Sequence, residues 1–163
     1  MKKICFVCLG NIVRSPLAEA VFNQKMVQMG LSDKYAVDSA AIGDWHVGER
    51  PDQRMRRVAA RKGLVYDHRG RQIRKSDLDM FDLIVAMDRD NRSALYQITR
   101  GSAEQHKIRL LREFDPQGGP NAAVPDPYYG GLDGFEEVYR IVERSVEGLL
   151  LALENGELDF ESE

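Results

Sequence analysis

Apolar and polar positions along this chain change their period at regular intervals, and the changes mark out strands and helices in alternation. Ile4-Cys5-Phe6-Val7 is a short continuous apolar run of the kind that forms a strand buried on both faces. From Leu17 through Ala18, Ala20, Val21, Phe22, Met26, Val27 and Met29 the apolar positions recur at helical spacing, and they stop at Gly30. Residues 35–40 read as a second short strand, and residues 51–62 as a helix ended by Gly63. A second continuous apolar run, residues 81–87, predicts another doubly buried strand, after which Asp88 can cap a helix running to about Ile98. Residues 108–114 form a fourth predicted strand. A Gly-, Pro- and Asp-rich loop over 115–133 then precedes a helix over about 135–153. Four strands alternating with helices predict an α/β fold, a three-layer sandwich whose four-stranded parallel sheet is flanked by helices. In such sheets ligands bind beyond the carboxyl ends of the strands, where Cys8 falls.

A length of 163 residues suits one domain, expected over 1–154, with an acidic tail over 155–163 expected to fray. With 43% apolar and 30% charged residues, the composition is that of an ordinary globular protein. No apolar stretch approaches the length of a bilayer span. Met1-Lys2-Lys3 leads into too few apolar residues for a signal-peptide core, so a cytoplasmic location is expected. A net charge of −3 gives no reason to invoke nucleic acid or a membrane surface. The middle of the chain is nonetheless basic: Arg50, Arg54, Arg56, Arg57, Arg61 and Lys62 are followed by Arg69, Arg71, Arg74 and Lys75. Such a run is either a solvated helix face or a docking surface for an acidic or phosphorylated partner. The three His, at 46, 68 and 106, have no partners at metal-ligand spacing, so neither a metal nor a cofactor is implied.

The chemistry concentrates at the end of the first strand, in Cys8-Leu9-Gly10-Asn11-Ile12-Val13-Arg14-Ser15-Pro16. This Cys-x5-Arg spacing puts a thiol and a guanidinium at the two ends of one short loop. A strand, a Gly-containing loop and a helix opened by a Pro together make a nest of backbone N–H groups, which suits a tetrahedral oxyanion. Gly10 lets the backbone approach an anion, Ser15 can aim a hydroxyl at the sulfur, and Pro16 suits the first helical position. A thiol between a helix N-terminus and an Arg is expected to rest as a thiolate nucleophile. The planar fork of Arg14 can hold two equatorial oxygens of a transferring phosphoryl group. The leaving group needs a proton, and Asp126, flanked by Pro125 and Pro127 in Val124-Pro125-Asp126-Pro127-Tyr128-Tyr129, is the candidate donor, with the tyrosines as apolar walls. An Asp-Pro turn with surface tyrosines would read the same way taken alone. Cys5 and Cys8 could mark a redox pair, but residues three apart on a strand face opposite sides, and Cys5 is simpler as a core residue.

From Lys3 to about Leu153 the chain closely resembles the low-molecular-weight protein tyrosine phosphatases. The resemblance rests on the Cys8 loop with Leu17-Ala18-Glu19, on Asp38-Ser39-Ala40-Ala41, on Trp45 before Pro51, on His68 with Arg71-Gln72-Ile73, on Met87-Asp88 and on Asp126-Pro127-Tyr128-Tyr129. It implies that Cys8 forms a phosphocysteine intermediate, that Arg14 binds phosphate, and that Asp126 first protonates the leaving group and then activates water. It also implies that Ser15 hydrogen-bonds the sulfur, that Asn11, Ser39 and His68 hold the loop in shape, and that Leu9, Ile12, Trp45, Tyr128 and Tyr129 line the pocket mouth. Gly10 and Val13 complete the implied phosphate loop. The expected substrate is a phosphotyrosine-containing protein or a small aryl phosphate, with inorganic phosphate as product and inhibitor, acted on by a monomer. Asp88 reads as a helix cap rather than a catalytic carboxyl. One departure is Val13, where family members usually carry a second Cys able to protect the nucleophile as a disulfide.

Related chemistries remain as alternatives. Thioredoxin-coupled arsenate reductases resemble this family but need further cysteines, and this chain has none after Cys8. Protein arginine phosphatases share the fold and resemble one another in having Thr where this loop has Ile12. A non-catalytic phosphate-binding module would not need nucleophile, Arg and acid together.

Overall fold

The computed structural model describes residues 1–128, 130–158 and 160. Strand β1 (Lys2–Cys8) lies centrally, parallel to both β2 (Tyr35–Ala41) and β3 (Leu83–Ala86), and β3 pairs in parallel with β4 (Ile108–Leu110), giving the order β2-β1-β3-β4. The helices are α1 (Arg14–Gln28), α2 (Gln53–Arg61), the short α3 (Asp77–Met80), α4 (Arg89–Ile98), the short α5 (Ser102–Gln105) and the long α6 (Leu132–Glu154). The chain winds one way from β1 to β2 and the other way from β3 to β4. The crevice of this doubly wound sheet therefore opens at the carboxyl ends of β1 and β3.

Alternation along the strands divides the core into two layers. Ile4, Phe6 and Cys8 of β1, with Leu83, Val85 and Met87, face α1 and α6 in the larger cluster, which includes Phe22, Phe135, Tyr139 and Leu149. Cys5, Val7, Ile84 and Ala86 face the other way, against Leu78, Leu95, Ile108 and Leu110. Cys5 and Cys8 thus belong to different layers. Burial pushes the Cys5 thiol well up, with the Arg71 guanidinium opposing. Of the stretch beyond α6, Leu158 and Phe160 pack partly buried against the larger cluster, with Lys2 over the Phe160 ring. No described helix is long and apolar enough to cross a membrane.

The predicted fold is the observed one, with local differences. The fourth strand ends at Leu110, and residues predicted to extend it form a 3-10 turn, Leu111–Phe114. The Glu113 carboxylate accepts the Leu110 N–H at 2.8 Å, closing the chain into that turn. Helix α1 starts two residues earlier than expected, so Pro16 is its third residue rather than its first. Its missing N–H still falls in the first turn, where none is required. Helix α2 starts after the Asp52 cap, whose carboxylate accepts from the N–H groups of Arg54 and Met55.

Candidate active site

Residues 9–13 turn the chain from β1 into α1, and several carbonyls along the turn are taken up by other groups. The Cys8 and Leu9 carbonyls accept from Ile42 and Gly43, that of Ile12 accepts from Asp52 at 2.8 Å, and that of Val13 accepts from Leu17. The N–H groups of residues 9 to 14 have no partner among the described residues, so the loop presents a concave row of donors. At its base the Cys8 Sγ lies 3.0 Å from the Ser15 Oγ and accepts the Ser15 N–H at 3.4 Å. The sulfur thus faces the first turn of α1.

Asn11, rather than Gly10, takes the left-handed conformation, at φ 56°. A side chain there is strained unless its surroundings fix it. Here they do: the Asn11 amide donates to the Ser15 Oγ at 2.8 Å and the Ser39 Oγ at 3.0 Å, while its carbonyl accepts from His68 Nε2 at 2.7 Å and from the Arg71 N–H at 3.1 Å. Ser39 passes the network on, donating to Glu19 at 2.7 Å. Burial pushes the Glu19 carboxyl up to about 7, against the lowering effect of the Ser39 hydrogen bond. Burial also lowers His68, whose Nδ1 stands 3.4 Å from Glu19. Asp38 joins these two in a cluster of possible metal ligands that the sequence spacing did not suggest. Their donor groups are already engaged, by Ser39, Asn11 and the Arg71 guanidinium 3.0 Å from Asp38. Gly10 has a different use, since a Cβ there would stand 3.1 Å from the His46 ring.

Arg14 is 2% exposed, and its aim is set from the far side of the crevice. Its Nη1 donates to Asp88 at 2.7 Å and to the Val124 carbonyl at 3.0 Å, while Nη2 lies 3.6 Å from Asp126. Burial disfavours the Arg14 cation, but the neighbouring Cys8, followed by Asp88 and Asp126, outweighs burial and raises it. Asp88 caps α4 as expected, accepting the Asn91 N–H at 2.7 Å. Its second oxygen does what the sequence reading missed, orienting the arginine. Pairing of β1 with β3 sets Ala86 beside Val7, and the Met87 N–H donates to the Val7 carbonyl, so the residues that follow Ala86 border the crevice next to Cys8.

The resulting cavity of about 470 Å³ is lined by Cys8, Leu9, Gly10, Ile12, Val13, Arg14, Trp45, His46, Asp126 and Tyr128. Trp45 lies over the Gly43 backbone, where a Cβ would meet its ring at 1.9 Å. Tyr128 sits opposite, its ring 6.2 Å from that of His46 and 5.4 Å from the Arg54 guanidinium. His46 was not among the predicted pocket residues, although its place beside Trp45 was a usable signal. Asp126 accepts the Tyr128 N–H at 3.1 Å, and its side chain is 42% exposed rather than shielded on both sides by prolines. Pro127 is buried but Pro125 is not. Tyr129 lies outside the described residues.

Because Cys5, the one other cysteine of the sequence, faces the other layer, oxidation of Cys8 is expected to progress past sulfenic acid. Peroxide treatment should give sulfinic or sulfonic Cys8 by mass spectrometry, with activity not restored by thiols. A Cys5–Cys8 disulfide with full recovery would contradict the strand geometry.

A thiol, an arginine and a cradle of backbone donors at the crevice of a doubly wound sheet have the make-up of a phosphoryl-transfer site of the cysteine-dependent class. The profile of the family described as low molecular weight phosphotyrosine protein phosphatase matches residues 3–158. A low molecular weight protein-tyrosine-phosphatase of Streptomyces coelicolor is 45% identical, the match covering 93% of each chain. Among solved structures, a protein tyrosine phosphatase of Entamoeba histolytica with Hepes in its active site superposes with a TM-score of 0.92 at 40% identity, over 97% of this chain and 100% of that one. An arginine phosphatase of Drosophila superposes with a TM-score of 0.86 at 33% identity, over 94% of this chain and 98% of that one. The chain belongs to the low molecular weight phosphotyrosine protein phosphatase family.

Proposed function

We propose that the protein hydrolyses phosphotyrosine in proteins, and small aryl phosphates, through a phosphocysteine intermediate at Cys8. The observation that carries this reading is the Cys8 sulfur at the base of a loop whose N–H groups, from residues 9 to 14, have no partner among the described residues, with Arg14 lining the same cavity. The thiolate attacks phosphorus as the phosphorus–oxygen bond of the ester breaks, and Asp126 supplies the proton that the departing phenolate needs. The Asp126 carboxylate then takes a proton from water, whose oxygen bonds to phosphorus as the phosphorus–sulfur bond breaks. Inorganic phosphate leaves and the thiolate is restored. Throughout, the loop N–H groups and Arg14 hold the equatorial oxygens, stabilising charge where it spreads in the transition state. Ser15 places a hydroxyl against the sulfur; Asn11, Ser39 and His68 hold the loop in its strained shape. Phosphate, bound by the same donors, is product and inhibitor. We read the active species as a monomer, since the residues proposed for the reaction all come from one chain.

Leu9, Ile12, Trp45 and Tyr128 give the mouth apolar and aromatic walls that suit a phenyl ring, whereas a phosphoarginine would bring a cation past Arg54 and Arg14. Likeness to an arginine phosphatase makes that the second reading. Kinetics with phosphotyrosine, phosphoserine and phosphoarginine forms of one peptide, in the presence of EDTA, separate the two. The phosphotyrosine form is expected to give the highest kcat/KM by at least about tenfold. A higher value for phosphoarginine would replace the present reading with the second.

A further inference from the structure

Helix α2 carries a second basic cleft beside the mouth. Its cavity, of about 270 Å³, is lined by Arg50, Gln53, Arg56 and Arg57, with Tyr66 at its wall. Gln53 and Arg57 are one turn apart and so share a helix face. The Arg57 guanidinium makes no ion pair or hydrogen bond among the described residues, and Arg56 uses its Nε on the Pro51 carbonyl at 2.9 Å, leaving its terminal N–H groups over. The Tyr66 hydroxyl is buried with no hydrogen-bond partner among the described residues, close enough to Arg56 to feel its charge. Burial holds the Tyr66 phenol well above its usual range, so it stays a donor. Among the described residues Asp67 opposes the arginines, 3.3 Å from Arg50 and 3.5 Å from Arg69, and the charge of Asp52 reaches Tyr66. Asp52 is committed to the α2 N-terminus and, at 2.9 Å, to Arg54.

Three guanidiniums lining one cleft, with the Gln53 amide as a further donor, suit a doubly charged tetrahedral anion. The cleft is also tied to the catalytic site. The Asp52 N–H donates to Ile12 in the phosphate loop, and Arg54, one residue along from Gln53, lies over Tyr128. A rise of about 1.5 Å per residue sets Arg57 roughly two turns at most from that junction.

We propose that the Arg50–Arg56–Arg57 cleft is a second phosphate site, which docks another phosphorylated side chain of the same polypeptide whose phosphotyrosine enters the Cys8 pocket. It rests on the phosphatase reading and adds a preference for multiply phosphorylated substrates. Engaging both phosphates makes the second contact intramolecular, so the gain appears in KM rather than in the chemical step.

The test compares a phosphotyrosine peptide with the same peptide carrying a phosphoserine about five residues away, a distance an extended chain spans at roughly 3.3–3.6 Å per residue. With the wild-type protein the doubly phosphorylated peptide should show a KM about tenfold lower at unchanged kcat. Arg57→Gln combined with Arg50→Gln should erase that gain while turnover of a small aryl phosphate stays the same. Equal KM values for the two peptides in the wild type, or a gain that survives both substitutions, would overturn the docking site. Loss of turnover on every substrate would instead overturn the phosphatase reading. Binding to Cys8→Ser protein, followed by Arg57 side-chain resonances, still tests the cleft in that case. The doubly phosphorylated peptide should shift them at lower concentration than inorganic phosphate does, and equal potency would assign the cleft to a free anion and overturn the docking.

Discussion

Cys8→Ser is expected to bind inorganic phosphate and turn nothing over, losing about four orders of magnitude or more in kcat. Binding survives because the loop N–H groups and Arg14 do not depend on the sulfur. Folding survives too, since a hydroxyl at Cys8 still finds the Ser15 Oγ and N–H beside it. Chemistry fails because a serine hydroxyl keeps its proton at neutral pH and no described side chain is placed to remove it: Ser15 is itself a hydroxyl, and His68 is turned to Asn11 and Glu19. Phosphate inhibition and isothermal binding should therefore match the wild type within a few-fold as turnover vanishes. EDTA should leave the wild-type rate unchanged. More than a trace of activity in Cys8→Ser, or loss of wild-type activity in EDTA, would remove the covalent mechanism.

What could be read from the sequence was whatever depends on neighbours within a turn or a strand. Ile4 to Val7 announced a doubly buried strand, and Cys8, Arg14 and Ser15 share one loop and helix start, so their meeting needed no knowledge of the fold. Contacts between distant segments were less visible. The Arg14–Asp88 hydrogen bond joins residues 74 positions apart, and only the pairing of β1 with β3 brings them together. Asp88 showed its local signal, the cap, and hid its other oxygen's partner. The left-handed turn falls on Asn11, held there by four hydrogen bonds, two donated by its amide to Ser15 and Ser39 and two accepted by its side-chain carbonyl from His68 and Arg71. Tertiary support overrode intrinsic preference there, as it did at residues 111–114, where the Glu113 carboxylate ended an apolar stretch that would otherwise have continued as strand. The basic segment looked uniform in sequence. In the fold it divides: Arg54 serves the catalytic mouth, Arg71 the loop network, and Arg50, Arg56 and Arg57 the second cleft.

Asp126→Asn is expected to cost roughly 10² to 10⁴ in kcat with phenyl phosphate, and far less with an aryl phosphate whose phenol is strongly acidic. The carboxyl is held over the pocket by the Tyr128 N–H at 3.1 Å, with its other oxygen 3.6 Å from Arg14, so a phosphoryl group cradled by Arg14 sits beneath it. An amide keeps the first contact but has no proton to give, so the loss should track the basicity of the leaving group rather than binding. The same assignment fixes the pH dependence. Turnover requires Cys8 without its proton and Asp126 with one, which gives a bell-shaped profile. In Asp126→Asn the fall on the alkaline side should disappear, because that limb reports the ionisation of the acid, while the rise on the acid side remains. An equal loss for both substrates, or an unchanged alkaline limb in the variant, would place the proton donor elsewhere in the loop and leave Asp126 as a partner of Arg14 alone.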